Sequence, residues 1–135
     1  MLSLLLAESH LTDPRTGQSS VIGIIDHLHG ARYPVMMSRM CVFAEMTNGR
    51  GTVPVVMRVI DADEARPPVF TASVNVTFAD PLAISQVACG AVGATFPEPG
   101  EYRVQILSGA AVLAERRLLM VLDQPAGPQQ AGDRS

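Results

Sequence analysis

The chain has 135 residues, a formal net charge of −3 and ten basic residues, all of them arginine. That length is enough for one core without disulfide or metal staples, and no basic stripe exists to displace counterions from nucleic-acid phosphates. No stretch approaches the roughly 18 to 20 apolar residues that a bilayer-spanning helix needs, so neither nucleic acid nor membrane is expected as a partner.

The chain opens with a short apolar run, residues 2–7, that has no basic residue before it and meets Glu8 and His10 at once. It does not read as a secretory signal, and a cytoplasmic protein is the expectation. Further apolar stretches fall at about 2–12, 20–28, 34–47, 53–61, 69–78, 84–93, 101–107 and 111–122, separated by turn-rich segments such as 13–17, 48–51, 61–68 and 97–100. Ten Pro and eleven Gly interrupt every long helical candidate. The pattern predicts an all-β sandwich of about seven to eight strands over residues 1–122, with an irregular strand over 83–94 and a disordered tail over 123–135.

In chain order, the first chemistry-bearing motif is DHLHG. On a strand, His27 and His29 project from the same face, and Asp26 and His10 are the candidates to complete a metal site. Cupins use such a His-x-His pair, but their first motif adds a glutamate where this chain runs Gly30, Ala31, Arg32, Tyr33, Pro34, and no histidine follows His29. The expected state of the pair is therefore unliganded and partly exposed, with no metal or other cofactor. Next, VMMSRMCVFAEM is apolar on both parities. A two-layer sandwich covers only one face of each sheet, so either a second cover exists within the chain or Met36, Met40, Val42 and Met46 contribute to a contact surface for another protein or a second copy.

Cys41 and Cys89 lie 89 − 41 = 48 positions apart, a spacing not far from that of an inter-sheet disulfide, yet two lone cysteines in a reducing compartment are expected as small buried hydrophobes. Asp61, Asp63 and Glu64 in DADEA lack the glycine and terminal glutamate of a calcium loop and read as a solvated turn. VFTASVNVTF alternates without an error: Phe70, Ala72, Val74, Val76 and Phe78 on one parity, Thr71, Ser73, Asn75 and Thr77 on the other. No nucleophile elbow or phosphate loop is present, and no Cys has a His partner in a known pattern.

EPGEYRVQI carries the most specific structural pattern. Glu98, Gly100, Tyr102 and Val104 reproduce the acid-x-Gly-x-Tyr-x-hydrophobe spacing, which resembles the tyrosine corner of immunoglobulin-like domains. That resemblance implies a Tyr hydroxyl bonded to the upstream backbone, with Val104 where antibody domains carry their second bridging Cys. The order of landmarks over residues 2–122 also resembles a family of small bacterial proteins known only as a domain of unknown function: LLLAESHLTDPRTG, then VIGIID, then PGEYRVQI with a Gly turn and a final strand. This resemblance implies an immunoglobulin-like sandwich and no activity. The expected role is a non-enzymatic binding or assembly module; the alternatives are a small metal-dependent enzyme centred on His27 and His29, or a small-ligand carrier.

Overall fold

The computed structural model describes residues 3–64 and 66–123. Eleven strands follow in chain order: β1 (Ser3–Thr12), β2 (Ser19–Ile24), β3 (His27–Gly30), β4 (Val35–Met37), β5 (Met40–Met46), β6 (Gly51–Asp61), β7 (Phe70–Phe78), β8 (Ser85–Ala91), β9 (Ala94–Phe96), β10 (Gly100–Ser108) and β11 (Ala111–Leu122). They form a four-stranded sheet in the order β2-β1-β5-β8, a five-stranded sheet in the order β3-β11-β10-β6-β7, and a two-stranded ribbon of β4 and β9. The described residues contain no helix long and apolar enough to cross a membrane. The expected tail lies outside the described residues from position 124 onward.

The all-β reading is correct, but the strand count exceeds the seven to eight expected. Two continuous apolar stretches each hold two strands. Residues 20–28 split at Ile25 and Asp26, where the chain passes from β2 in one sheet to β3 in the other; residues 34–47 split at Ser38 and Arg39, between β4 and β5. Neither transfer uses Gly or Pro, so hydrophobic spacing cannot register it. The stretch 84–93 is indeed a strand, β8, and a separate short strand, β9, follows it just before the expected turn at 97–100.

Alternation explains why the two large sheets share one interior. Leu4 and Leu6 of β1 and Met40, Val42 and Ala44 of β5 belong to the same buried cluster as Val55, Met57 and Val59 of β6, Tyr102, Val104 and Ile106 of β10, and Leu118 and Met120 of β11. Within β7, Val76 and Phe78 enter that cluster and Thr71, Ser73, Asn75 and Thr77 are exposed, so the register that buries only apolar side chains is the one adopted.

β5 resolves the double-sided apolar pattern within the chain. It is an interior strand between β1 and β8, its even residues fill the core, and on its other face Phe43 is buried beneath the His10 ring, stacked at 5.3 Å. Met40, Val42 and Met46 are therefore core residues, not a contact surface. Met36 alone of the four is exposed, at 66%.

The last hairpin closes on Gly109 and Ala110, with Gly109 at φ 60°, the left-handed conformation that a type II′ hairpin turn requires at its first central position. Leu113 is an extra residue between the pairs Ile106↔Ala114 and Leu107↔Val112, a β-bulge. At the other end of β10, the Tyr102 hydroxyl donates to the Glu98 carbonyl at 2.7 Å, and the ring meets Phe96 edge to face at 5.1 Å. Tyr102 is 2% exposed, so this hydrogen bond satisfies a hydroxyl that water cannot reach. Burial raises its pKa, with Asp61 adding to the rise and Arg66 opposing it. Replacing Tyr102 by Phe should cost about 0.5–1.5 kcal/mol, the net contribution of one intramolecular hydrogen bond. A urea titration reads this as a lower midpoint with unchanged slope; an unchanged midpoint would show that the corner contributes nothing.

Candidate functional site

Two features are accessible and chemically distinctive: the outer edge of β7 and an imidazole pair on β3. β7 is the last strand of the five-stranded sheet and pairs with β6 in uninterrupted register from Val59↔Phe70 to Gly51↔Phe78. Its nine residues, FTASVNVTF, include no charge and no proline, and no bulge twists it. Those are the devices by which edge strands ordinarily avoid pairing with another chain. β2, one edge of the four-stranded sheet, differs: Gly23 takes φ 73° within it, with the Glu8 side chain against that glycine; β8, the other edge, is also free of charge and proline but is shorter, with seven residues, and contains Gly90. The Ser85 hydroxyl donates to the Thr77 carbonyl at 2.8 Å, which marks one end of the β7 edge. At the other end, a cleft of about 560 Å³ opens beside Pro67, Pro68, Phe70 and Val92.

The sequence of β7 is also nearly symmetric about Val74. Phe70 mirrors Phe78, Thr71 mirrors Thr77, Ser73 mirrors Asn75, and Ala72 mirrors Val76. The alternation of this strand was legible in the sequence. Its position at a sheet edge, which gives the symmetry meaning, was not.

β3 runs parallel to β11 with Leu119↔His27 and Val121↔His29 in register, so both imidazoles leave the same face, with ring centres 5.5 Å apart. His27 Nδ1 lies 2.7 Å from Asp26 Oδ1, and His29 Nδ1 lies 2.9 Å from Asp123 Oδ1. The histidine side chains are 58% and 54% exposed. Asp123, which the sequence assigns to the tail, is held there by its own N–H donating to the Gly30 carbonyl at 2.9 Å; no local pattern points across the 94 positions to His29. His10 does not join this group. It packs on Phe43, with Nε2 buried and without a hydrogen-bond partner. Among the described residues, no set of three or more His, Cys, Asp or Glu converges on a common metal position.

Other sequence-marked residues have structural surroundings. Val104 is 1% exposed in the core. Gly100, at φ 140°, opens β10, and Glu98 also ion-pairs with Arg66. Asp63 and Glu64 are exposed in a turn closed by Glu64 N–H on the Asp61 carbonyl; Asp61 ends β6 with Oδ1 buried and unpartnered. Cys41 and Cys89 sit on adjacent strands of one sheet, not across the two sheets. The register pairs Val42 with Cys89 and Cys41 with Gly90, which sends the two thiols to opposite faces and leaves both free.

The family model of DUF6941, a family of unknown function, matches residues 2–120. The chain belongs to that family. The matched span takes in β7, both histidines of β3 and the Tyr102 corner, whereas Asp123 falls just beyond it. No curated protein matches the chain.

Burial raises the pKa of both thiols, and for Cys41 the neighbouring Cys89 adds to the rise while a Cys89 backbone hydrogen bond opposes it. A raised pKa means less thiolate at pH 8, and thiolate is the reactive form. A disulfide-exchange chromogen should therefore find no fast thiol in the folded chain and two after denaturation. A rapid thiol in the native protein would contradict this account.

Proposed function

We propose that this protein is a non-enzymatic assembly module with an immunoglobulin-like sandwich, and that it self-associates by pairing β7 with β7 of a second copy. For the fold, the support is the order in which the chain alternates between sheets: β5, β6, β10 and β11 follow the sequence of strands B, C, F and G, β8 takes the place of E beside β5, and the tyrosine corner stands at the start of β10. Two cysteines that cannot reach each other fit a reducing, cytoplasmic setting.

One observation carries the functional reading: the charge-free, proline-free, bulge-free edge of β7 has a sequence that nearly matches itself when reversed, differing only in the pairs Ala72/Val76 and Ser73/Asn75. An antiparallel pair related by a two-fold axis through Val74 sets residue 74 − k against 74 + k of its copy, so one surface serves both partners. Phe70 then faces Phe78 of the copy, Thr71 faces Thr77, and Ser73 faces Asn75. The hydroxyl and amide groups lie on the exposed face where cross-strand hydrogen bonds form, and no like charges meet. The two five-stranded sheets become one sheet of ten.

The geometry specifies its own test. Light scattering behind a sizing column should give a mass near twice 14.4 kDa. The double variant Ser73→Lys, Asn75→Lys places lysines opposite lysines and should run as a folded monomer. The variant Ser73→Lys, Asn75→Glu places lysine opposite glutamate across the same axis and should restore the dimer. A monomeric wild-type chain at micromolar concentration, or a charge-complementary variant as monomeric as the double lysine, would refute β7 pairing.

A further inference from the structure

We infer that His27 and His29 form a two-imidazole clip for a borderline-soft divalent metal ion such as zinc or nickel. In each residue the carboxylate of an aspartate occupies the Nδ1 side, at 2.7 Å for Asp26 and 2.9 Å for Asp123. A carboxylate in that place fixes the proton on Nδ1 and leaves the Nε2 lone pair free, the arrangement found behind metal-ligating histidines. One such pair on a surface is unremarkable. Two on alternate residues of a single strand, one anchored by a neighbour and the other by a residue 94 positions away, form an oriented chelate.

The spacing of the rings agrees. An ion about 2.1 Å from each Nε2 would lie roughly 3.2 Å from each ring centre, and centres 5.5 Å apart fall within the span that two ligands of one ion allow. With two protein ligands, water completes the coordination, and the site holds its ion less tightly than a closed four-ligand site. Neutral imidazole nitrogen selects zinc, nickel or copper over magnesium and calcium, which prefer oxygen. Asp26 and Asp123 supply negative charge around the ion. Opposing them, Arg116 and Arg117 line the neighbouring cleft with Asp26 and His27, although the Arg116 guanidinium is engaged by the Leu4 carbonyl at 3.2 Å. The site lies on β3, at the opposite edge of the five-stranded sheet from β7, so it stands or falls independently of self-association.

Equilibrium dialysis of the full, untagged chain against zinc, and separately nickel, tests the clip. One ion per chain is expected, lost in His27→Ala and in His29→Ala and retained in His10→Ala. Asp123→Asn, which leaves both ligands in place but weakens the anchor, should lower affinity about 10- to 100-fold. The substituted side chains at positions 27, 29 and 123 are exposed, and circular dichroism with a melting curve verifies that each variant folds. Uptake by the wild type no greater than by a His27→Ala, His29→Ala double variant overturns the proposal, as does an Asp123→Asn affinity equal to that of wild type.

Discussion

Two sheets must fill one interior between them, and this constraint disposes of most of the apolar side chains in the molecule. Val42 and Met40 from one layer and Val55, Met57, Val59, Val104 and Ile106 from the other are each at most 1% exposed, and burying side chains of this size contributes about 1.5–3 kcal/mol apiece before the entropy of ordering is subtracted. Because alternate residues of β1, β6, β7 and β11 are committed inward, the register of these strands is fixed by what lies beneath them. The chemistry open to solvent is restricted to the outward parity, the edges and the turns.

Edges are where that restriction has consequences. β5 avoids the question by being interior to its sheet and by having Phe43 covered with the His10 ring. β3 and β7 terminate the five-stranded sheet at opposite sides, and each presents something specific: β3 a pair of imidazoles held by carboxylates, β7 a plain backbone edge with hydroxyl and amide side chains. The Tyr102 corner and the Gly109 turn hold β10 at both ends, and β10 is the strand that joins β11 to β6 and so fixes the distance between these two edges.

Much of this architecture is legible from alternation. VFTASVNVTF reads as β7 over its full length, the EPGEYRVQI spacing places the Tyr102 hydroxyl near the Glu98 carbonyl that it meets, and His27 and His29 do share a face. What hydrophobic spacing does not reveal is where a strand lies in its sheet. Met40, Val42 and Met46 look like surplus apolar surface only while β5 is thought to have an open face. β2 and β3 merge into one stretch because Ile25 stays buried through the transfer between sheets. Asp123 belongs to a polar, glycine- and proline-containing segment whose composition says nothing of a hydrogen bond to a residue near the other end of the chain. Each of these failures concerns long-range placement, on which local composition carries no information.

Native-state hydrogen exchange probes most directly whether both sheets depend on one shared interior. Amides of β5 in the first sheet and of β6 and β10 in the second should exchange only through global opening, with a common free energy and a common dependence on denaturant. Two distinct opening free energies, one for each sheet, would mean that the layers fold separately and that no common core governs the molecule.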